Sequence, residues 1–206
     1  MTEAGFISHN FWDTRYSSDA YIFGKEPSQF VSTYAYLIPP KSRVFLPADG
    51  EGRNSVFLAK LGHEVSASDY SEVGLQKARR LAAEHTVTVD FKAVDLKGYD
   101  WPENAYDAVV AVFIQFADPS FRKAIFTGLM RTVRPGGLIL LHGYTPKQLE
   151  YRTGGPDEVA NLYTKPLLSE AFSDCETLTL KAYDRHLDEG THKGRSALID
   201  LVARKI

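Results

Sequence analysis

The chain of 206 residues contains one cysteine, Cys175, so no disulfide can form within it. That usage fits a reducing compartment. No apolar run approaches the roughly 20 residues needed to span a bilayer. The opening MTEAGFISHNFWD lacks the basic start and apolar stretch of a secretory signal. These absences predict a soluble, cytoplasmic protein without a membrane partner. An excess of one charge is missing as well: 24 Lys and Arg stand against 26 Asp and Glu, a net charge of -2. Nucleic-acid binders carry a basic bias or stripe, so no nucleic-acid partner is expected. Repeats and low-complexity segments are also absent. What remains is an ordinary globular composition, 44% apolar and 24% charged, in a length that suits one domain with a sizeable core.

Residues 9–40 are aromatic and polar, and their pattern predicts short helices ending at Pro39-Pro40, an N-terminal cover. Strand and helix patterns then alternate. Arg43–Pro47 reads as a short buried strand, Arg53–Leu61 as a helix and Glu64–Ser68 as the next strand. Ser71 can cap a helix running to Glu84, with Leu75, Ala78, Leu81 and Ala82 at helical spacing. Thr86–Val94 alternates like a strand, and Tyr106–Phe113 is the near-continuous apolar run of a strand covered on both faces. Asp118-Pro119 signals a helix start, and Arg134-Pro135-Gly136-Gly137 is expected to stop that helix before a strand at Leu138–Leu141. Tyr144–Thr164 is turn-rich, a substrate lid in this reading, and a helix follows at Lys165–Phe172. Two final strands, Thr177–Leu187 and Ser196–Arg204, joined by a polar loop, should pair antiparallel. The pattern predicts a single α/β domain: a Rossmann-like three-layer sandwich with a mostly parallel seven-stranded sheet and a C-terminal antiparallel hairpin. It sets no oligomeric state.

Ligands in such sheets bind beyond the carboxyl ends of the strands, where strand order reverses. The first strand is followed there by Ala48-Asp49-Gly50-Glu51-Gly52-Arg53-Asn54, a glycine turn that lets backbone approach a ligand closely. Asp49 and Glu51 would repel a diphosphate. A cationic ligand matches better, and S-adenosylmethionine carries an ammonium and a sulfonium. The next strand ends in Asp69-Tyr70-Ser71, where a carboxylate can accept both ribose hydroxyls. Asp95 can accept from an adenine amino group, with Tyr70, Leu96 and Phe113 about the ring, and Gln115 lies at the fourth strand end. Each has a plainer reading: the GxG is a tight turn, Asp69 or Ser71 caps a helix, Asp95 is a solvated loop residue, and Arg53 is an exposed arginine at a helix start. Phe11, Trp12, Tyr16, Tyr21 and Phe23 either pack a helix onto the sheet or wall a methyl-donor site, where ring faces favour a sulfonium. His142 and Tyr144 follow the fifth strand and are the candidates for a general base, although a structural histidine is the commoner case. His186 and His192 lack familiar ligand spacing, so no metal is expected, and Cys175 reads as a buried apolar residue.

VFLPADGEGRNSVFLAKLGHEVSASDYSEVGLQKA resembles the cofactor half of a class I S-adenosylmethionine-dependent methyltransferase. VDL, WPENAYDAVVAVF and LMRTVRPGGLILLHGY resemble its later strands. FWDTRYSSDAYIFGKEPSQF is similar to the N-terminal cover of small-molecule methyltransferases near the tellurite-resistance and thiopurine groups. The resemblance implies S-adenosylmethionine as cofactor, bound by Trp12, Tyr21, Ala48, Asp49, Gly50, Glu51, Gly52, Asn54, Asp69, Tyr70, Ser71, Asp95, Leu96, Phe113 and Gln115. It also implies methyl transfer to a small-molecule acceptor. Two positions depart from the pattern: many members have an acidic residue where Leu46 stands and glycine where Ala48 stands. A nicotinamide-dependent oxidoreductase and a non-catalytic S-adenosylmethionine-binding module remain the alternatives. Ser55 at the third glycine position and the acidic turn argue against the former.

Overall fold

The computed structural model describes residues 9–206. Helices α1 (His9–Tyr16) and α2 (Gln29–Tyr34) precede the alternating segment β1 (Arg43–Leu46), α3 (Arg53–Lys60), β2 (Glu64–Asp69), α4 (Glu72–Glu84), β3 (Asp90–Ala93), β4 (Tyr106–Val112), α5 (Pro119–Thr132) and β5 (Val133–Tyr144). Short helices α6 (Gln148–Tyr151) and α7 (Lys165–Ala171) lead to β6 (Cys175–Glu189) and β7 (His192–Lys205). Sheet order is β3-β2-β1-β4-β5-β7-β6. The first five strands run parallel, and β7 pairs antiparallel with both β5 and β6. This is the expected seven-stranded, Rossmann-like sandwich. The order reverses at β1, which lies between β2 and β4, so a crevice opens beyond its carboxyl end.

Side chains alternate across the central strands as their period of two dictates. Phe45, Val109, Ala111, Ile139 and Leu141 pack with Ile125 and Leu129 of α5 and Leu168 of α7. Val44, Leu46, Val110 and Leu140 pack on the opposite face with Phe30 and Val31 of α2 and Leu58 of α3. Both faces are therefore covered, which is why these strands read as unbroken apolar runs. Helix starts follow their capping chemistry. The Ser71 hydroxyl accepts from Gly74 N–H at α4, and Asp118 accepts from Ser120 and Phe121 N–H ahead of Pro119 at α5.

Three boundaries differ from the sequence expectation. β3 begins at Asp90 instead of Thr86, because Thr86 and Val87 are used to end α4. Their N–H groups donate to Ala83 and Ala82, Thr86 takes a left-handed φ of 55°, and Val87 packs back on Val56 and Leu81. The Arg134–Gly137 run lies inside β5. Val133 already pairs with Tyr106 and Leu138 pairs with Ala108, so the intervening residues bulge out of the ladder. The polar loop expected between the last strands is a continuation of the hairpin, with Asp188 opposite Lys193 and Glu189 opposite His192.

Gly52, the N-cap of α3, has φ 87°. A Cβ there would sit 2.6 Å from Ala78 Cβ and 2.9 Å from Ala78 Cα, so the contact between α3 and α4 requires glycine. Gly52→Ala is expected to destabilise the fold by roughly 2–4 kcal/mol through left-handed strain and overpacking together. Urea unfolding checks this, with the midpoint falling at constant slope.

Candidate active site

The turn after β1 folds back on itself through three left-handed residues: Ala48 at φ 51°, Gly50 at 61° and Gly52 at 87°. Ala48 thus occupies a conformation in which glycine carries no penalty. The turn is tied to β2 by Asp49 N–H donating to Ser68 C=O at 2.9 Å. Asp69, at the end of β2, accepts from Gly50 N–H at 2.7 Å and from Ser71 N–H at 2.9 Å. Asp49 accepts from Ser55 N–H at 3.3 Å. Neither carboxylate has an ion-pair partner among the described residues. Loss of hydration raises the Asp49 carboxyl to about 7, with a smaller push from Asp69. It raises Asp69 to about 6 against the pull of its backbone hydrogen bonds. Tyr70 N–H also donates to Asp69, which leaves this carboxylate capacity for a further donor.

Both carboxylates line a cavity of about 950 Å³ beyond the sheet's reversal point, near the upper end of the volumes that small-molecule sites enclose. Trp12 and Tyr16 of α1, stacked with centroids 5.6 Å apart, form part of its wall. Of the residues singled out from sequence, Trp12, Ala48, Asp49, Gly50, Asn54, Asp69, Tyr70, Asp95, Leu96, Phe113, Gln115 and Tyr144 line this one cavity. Asp95 is exposed and accepts from Lys97 N–H, while Leu96 is buried. Asn54 uses its side-chain carbonyl to accept from Ser28 N–H. Gln115 is occupied: its amide donates to Tyr144 and Asn161 C=O and accepts from Tyr144 N–H, which ties the Tyr144–Thr164 segment to β5.

Five expected site residues are not among the cavity's lining. Glu51 turns under the loop, where it forms a fully buried ion pair with Lys77 of α4 and accepts from Ile22 N–H at 2.8 Å. The acidic pair facing the cavity is therefore Asp49 with Asp69, not Asp49 with Glu51. Gly52 serves helix packing. Ser71 caps α4 and donates to Asp13. The Tyr21 hydroxyl donates to Lys77 C=O at 2.9 Å, which draws its ring away with α4. His142 shares a face of β5 with Tyr144 but is buried beneath the cavity, stacked on Phe30 and 4.7 Å from Phe113, with its Nδ1 2.7 Å from Asp200. That arrangement is a structural dyad and removes His142 as a candidate base. Tyr144 lines the cavity, but burial and the nearby Glu189 charge raise its hydroxyl well above the usual phenol range, so it stays protonated at neutral pH.

Sequence reading missed Arg15, Phe116 and the site position of His192, all on the cavity wall. It also missed Lys77. The signal was present there: Lys77 falls on the inner stripe of α4 with Gly74, Leu75, Ala78 and Leu81, and a charge in such a stripe calls for a buried partner. Among the described residues no group of three or more His, Cys, Asp or Glu is arranged to hold a metal ion, and no helix is long and apolar enough to cross a membrane.

Residues 48–137 match the family model described as a methyltransferase domain. No curated protein matches the chain. Among solved structures, TehB from Haemophilus influenzae superposes with a TM-score of 0.72 at 20% identity, covering 96% of this chain and 67% of that one. A structure solved for the conversion of a disulfide bond into a thioacetal group during echinomycin biosynthesis gives 0.74 at 18%, covering 96% and 92%. The N-methyltransferase NodS from Bradyrhizobium japonicum WM9 gives 0.66 at 9%, covering 85% and 93%. The family-model match and these superpositions give the chain a methyltransferase fold.

Lys77→Met leaves the Glu51 carboxylate buried without its counter-charge and is expected to destabilise the protein by roughly 3–5 kcal/mol. Adding Glu51→Gln should recover part of the loss. Chemical denaturation of the two variants tests the pair.

Proposed function

We propose that this chain of methyltransferase fold uses S-adenosylmethionine to methylate a small-molecule acceptor. The observation that carries the reading is the pair of uncompensated carboxylates, Asp49 and Asp69, held at the ends of β1 and β2 against one large cavity. A cationic adenosyl ligand relieves both, whereas a diphosphate would add repulsion. The remaining acceptor capacity of Asp69 suits the ribose hydroxyls, and Asp49 suits the ammonium end. Asp95, Tyr70, Leu96 and Phe113 offer an acceptor and apolar faces for adenine, while Ala48 and Gly50 expose backbone. The stacked Trp12–Tyr16 pair offers ring faces to a sulfonium. When bound, the cofactor supplies an already activated methyl group. The protein's tasks are then to align the nucleophile and exclude water. The cover, α1 with the segment to Phe23, performs the second.

Isothermal titration with S-adenosylhomocysteine and with NAD tests the reading. S-adenosylhomocysteine is expected to bind and NAD is not. Asp69→Ala should weaken binding roughly 10- to 100-fold, the loss of one or two charge-assisted hydrogen bonds. Binding of NAD alone would overturn the assignment.

The raised carboxyls set the pH behaviour. Between pH 4 and 7 the folded protein holds protons that the unfolded chain, with ordinary aspartates, has released. These two groups therefore make the ligand-free protein less stable as pH rises through that window. A ligand that offers an ammonium and ribose hydroxyls to these two groups prefers their ionised form, so S-adenosylhomocysteine affinity should fall as pH drops from 7.5 to 5.5. Thermal melts and titrations across that range check both signs.

A further inference from the structure

The cavity has two chemically different ends. The buried carboxylates Asp49 and Asp69 sit at the ends of β1 and β2. On the other side of the reversal point, β4, β5 and β7 bring together Phe113, Tyr144 and His192, and the cover adds Phe23. The His192 ring lies 4.5 Å from Phe23, 4.6 Å from Phe113 and 6.0 Å from Tyr144. Phe113 is held at φ 56°, a left-handed strain of the kind that persists at binding sites. It forms the hub of this box, stacked on Tyr144 at 4.6 Å.

His192 and the Tyr144 hydroxyl are the polar groups in these walls that lack a local bond, and of the two only the imidazole has a ring nitrogen to accept with. Its Nδ1 is buried and has no hydrogen-bond partner among the described residues, although buried polar atoms nearly always have one. Burial, followed by the charges of Arg53 and Arg15 and by His142, lowers its imidazole to about 3. The ring is therefore neutral throughout the physiological range. It can accept a hydrogen bond but does not take up a proton at neutral pH. The same two arginines disfavour a protonated amine in this half of the cavity. Glu189, the nearest carboxylate on the hairpin, is engaged by Arg53 at 2.9 Å.

Resting on the methyltransferase reading, we propose that His192 is the acceptor-recognising residue. Its ring accepts a hydrogen bond from the O–H or S–H of a flat, uncharged acceptor lying against the wall that Phe23, Phe113 and Tyr144 form with it. The role is specificity and orientation, not general-base catalysis.

Phenol and toluene, which share a flat ring and differ in one hydroxyl, are the probes, titrated into protein saturated with S-adenosylhomocysteine. Wild type should bind phenol about tenfold more tightly than toluene, the equivalent of one buried hydrogen bond. His192→Phe keeps the ring and should level the two, while His192→Asn should keep part of the preference. Phenol should also shift the His192 imidazole nitrogen resonance in wild-type protein, a readout that needs no variant. Equal binding of the two probes by wild type, binding of neither, or an undiminished phenol preference in His192→Phe overturns the assignment of His192 and leaves the cofactor reading intact. Failure of S-adenosylhomocysteine to bind in the first step overturns the function and this inference with it.

Discussion

The buried ion pair between Glu51 and Lys77 fixes the site. Lys77 projects from α4 into the space under the glycine turn and also donates to the carbonyls of Ser18 at 2.9 Å and Ala20 at 2.7 Å. Glu51 projects from the turn and accepts from the backbone of Ile22. One pair of charges therefore joins three segments distant in sequence: the cover, the turn and the helix behind it. Charges of this kind gain little net stability over apolar packing, yet they penalise heavily any arrangement that separates them. The turn's path, and hence the positions of Asp49 and Asp69, follows from where Glu51 is anchored.

Two of the three acids at this end of the sheet are left without a cation, and that is an electrostatic cost the fold carries. A core selected for stability alone would pair or remove them. Departures from local consistency of this sort mark functional sites. The contrast with Glu51, which is fully paired a few residues away, shows that the chain discriminates between carboxylates. One anchors, and the others remain available. Ala48 is a second such departure, a side chain placed in backbone space that favours glycine.

The fold was legible because the strands obey simple rules. Both faces of β1, β4 and β5 are buried, so continuous apolar runs such as Tyr106–Val112 stand out, and caps at Ser71 and Asp118 mark their helices. Of the expected site, Asp69 and its neighbours at strand ends could be placed, since a strand end has a defined location in this architecture. Glu51 could not. Its direction depends on left-handed torsions at Ala48, Gly50 and Gly52, which spacing does not encode. Tyr21 failed for a related reason: aromatic content identifies a cover but not which rings face inward. His192 lay in what reads as a polar loop, and only the register of the final hairpin carries it to the cavity wall.

The tip of that hairpin meets the cover. Thr191 N–H donates to Ile22 C=O at 2.7 Å, and a Cβ on Gly190 would strike the same carbonyl. Residue 22 leaves the ribosome long before residue 191, by roughly 10–30 s at ordinary elongation rates. Throughout that interval a nascent chain can assemble β1 to β4 and the glycine turn, but the cover has nothing to dock its far side against. The far side of the cover is thus secured only after translation has delivered the last strands.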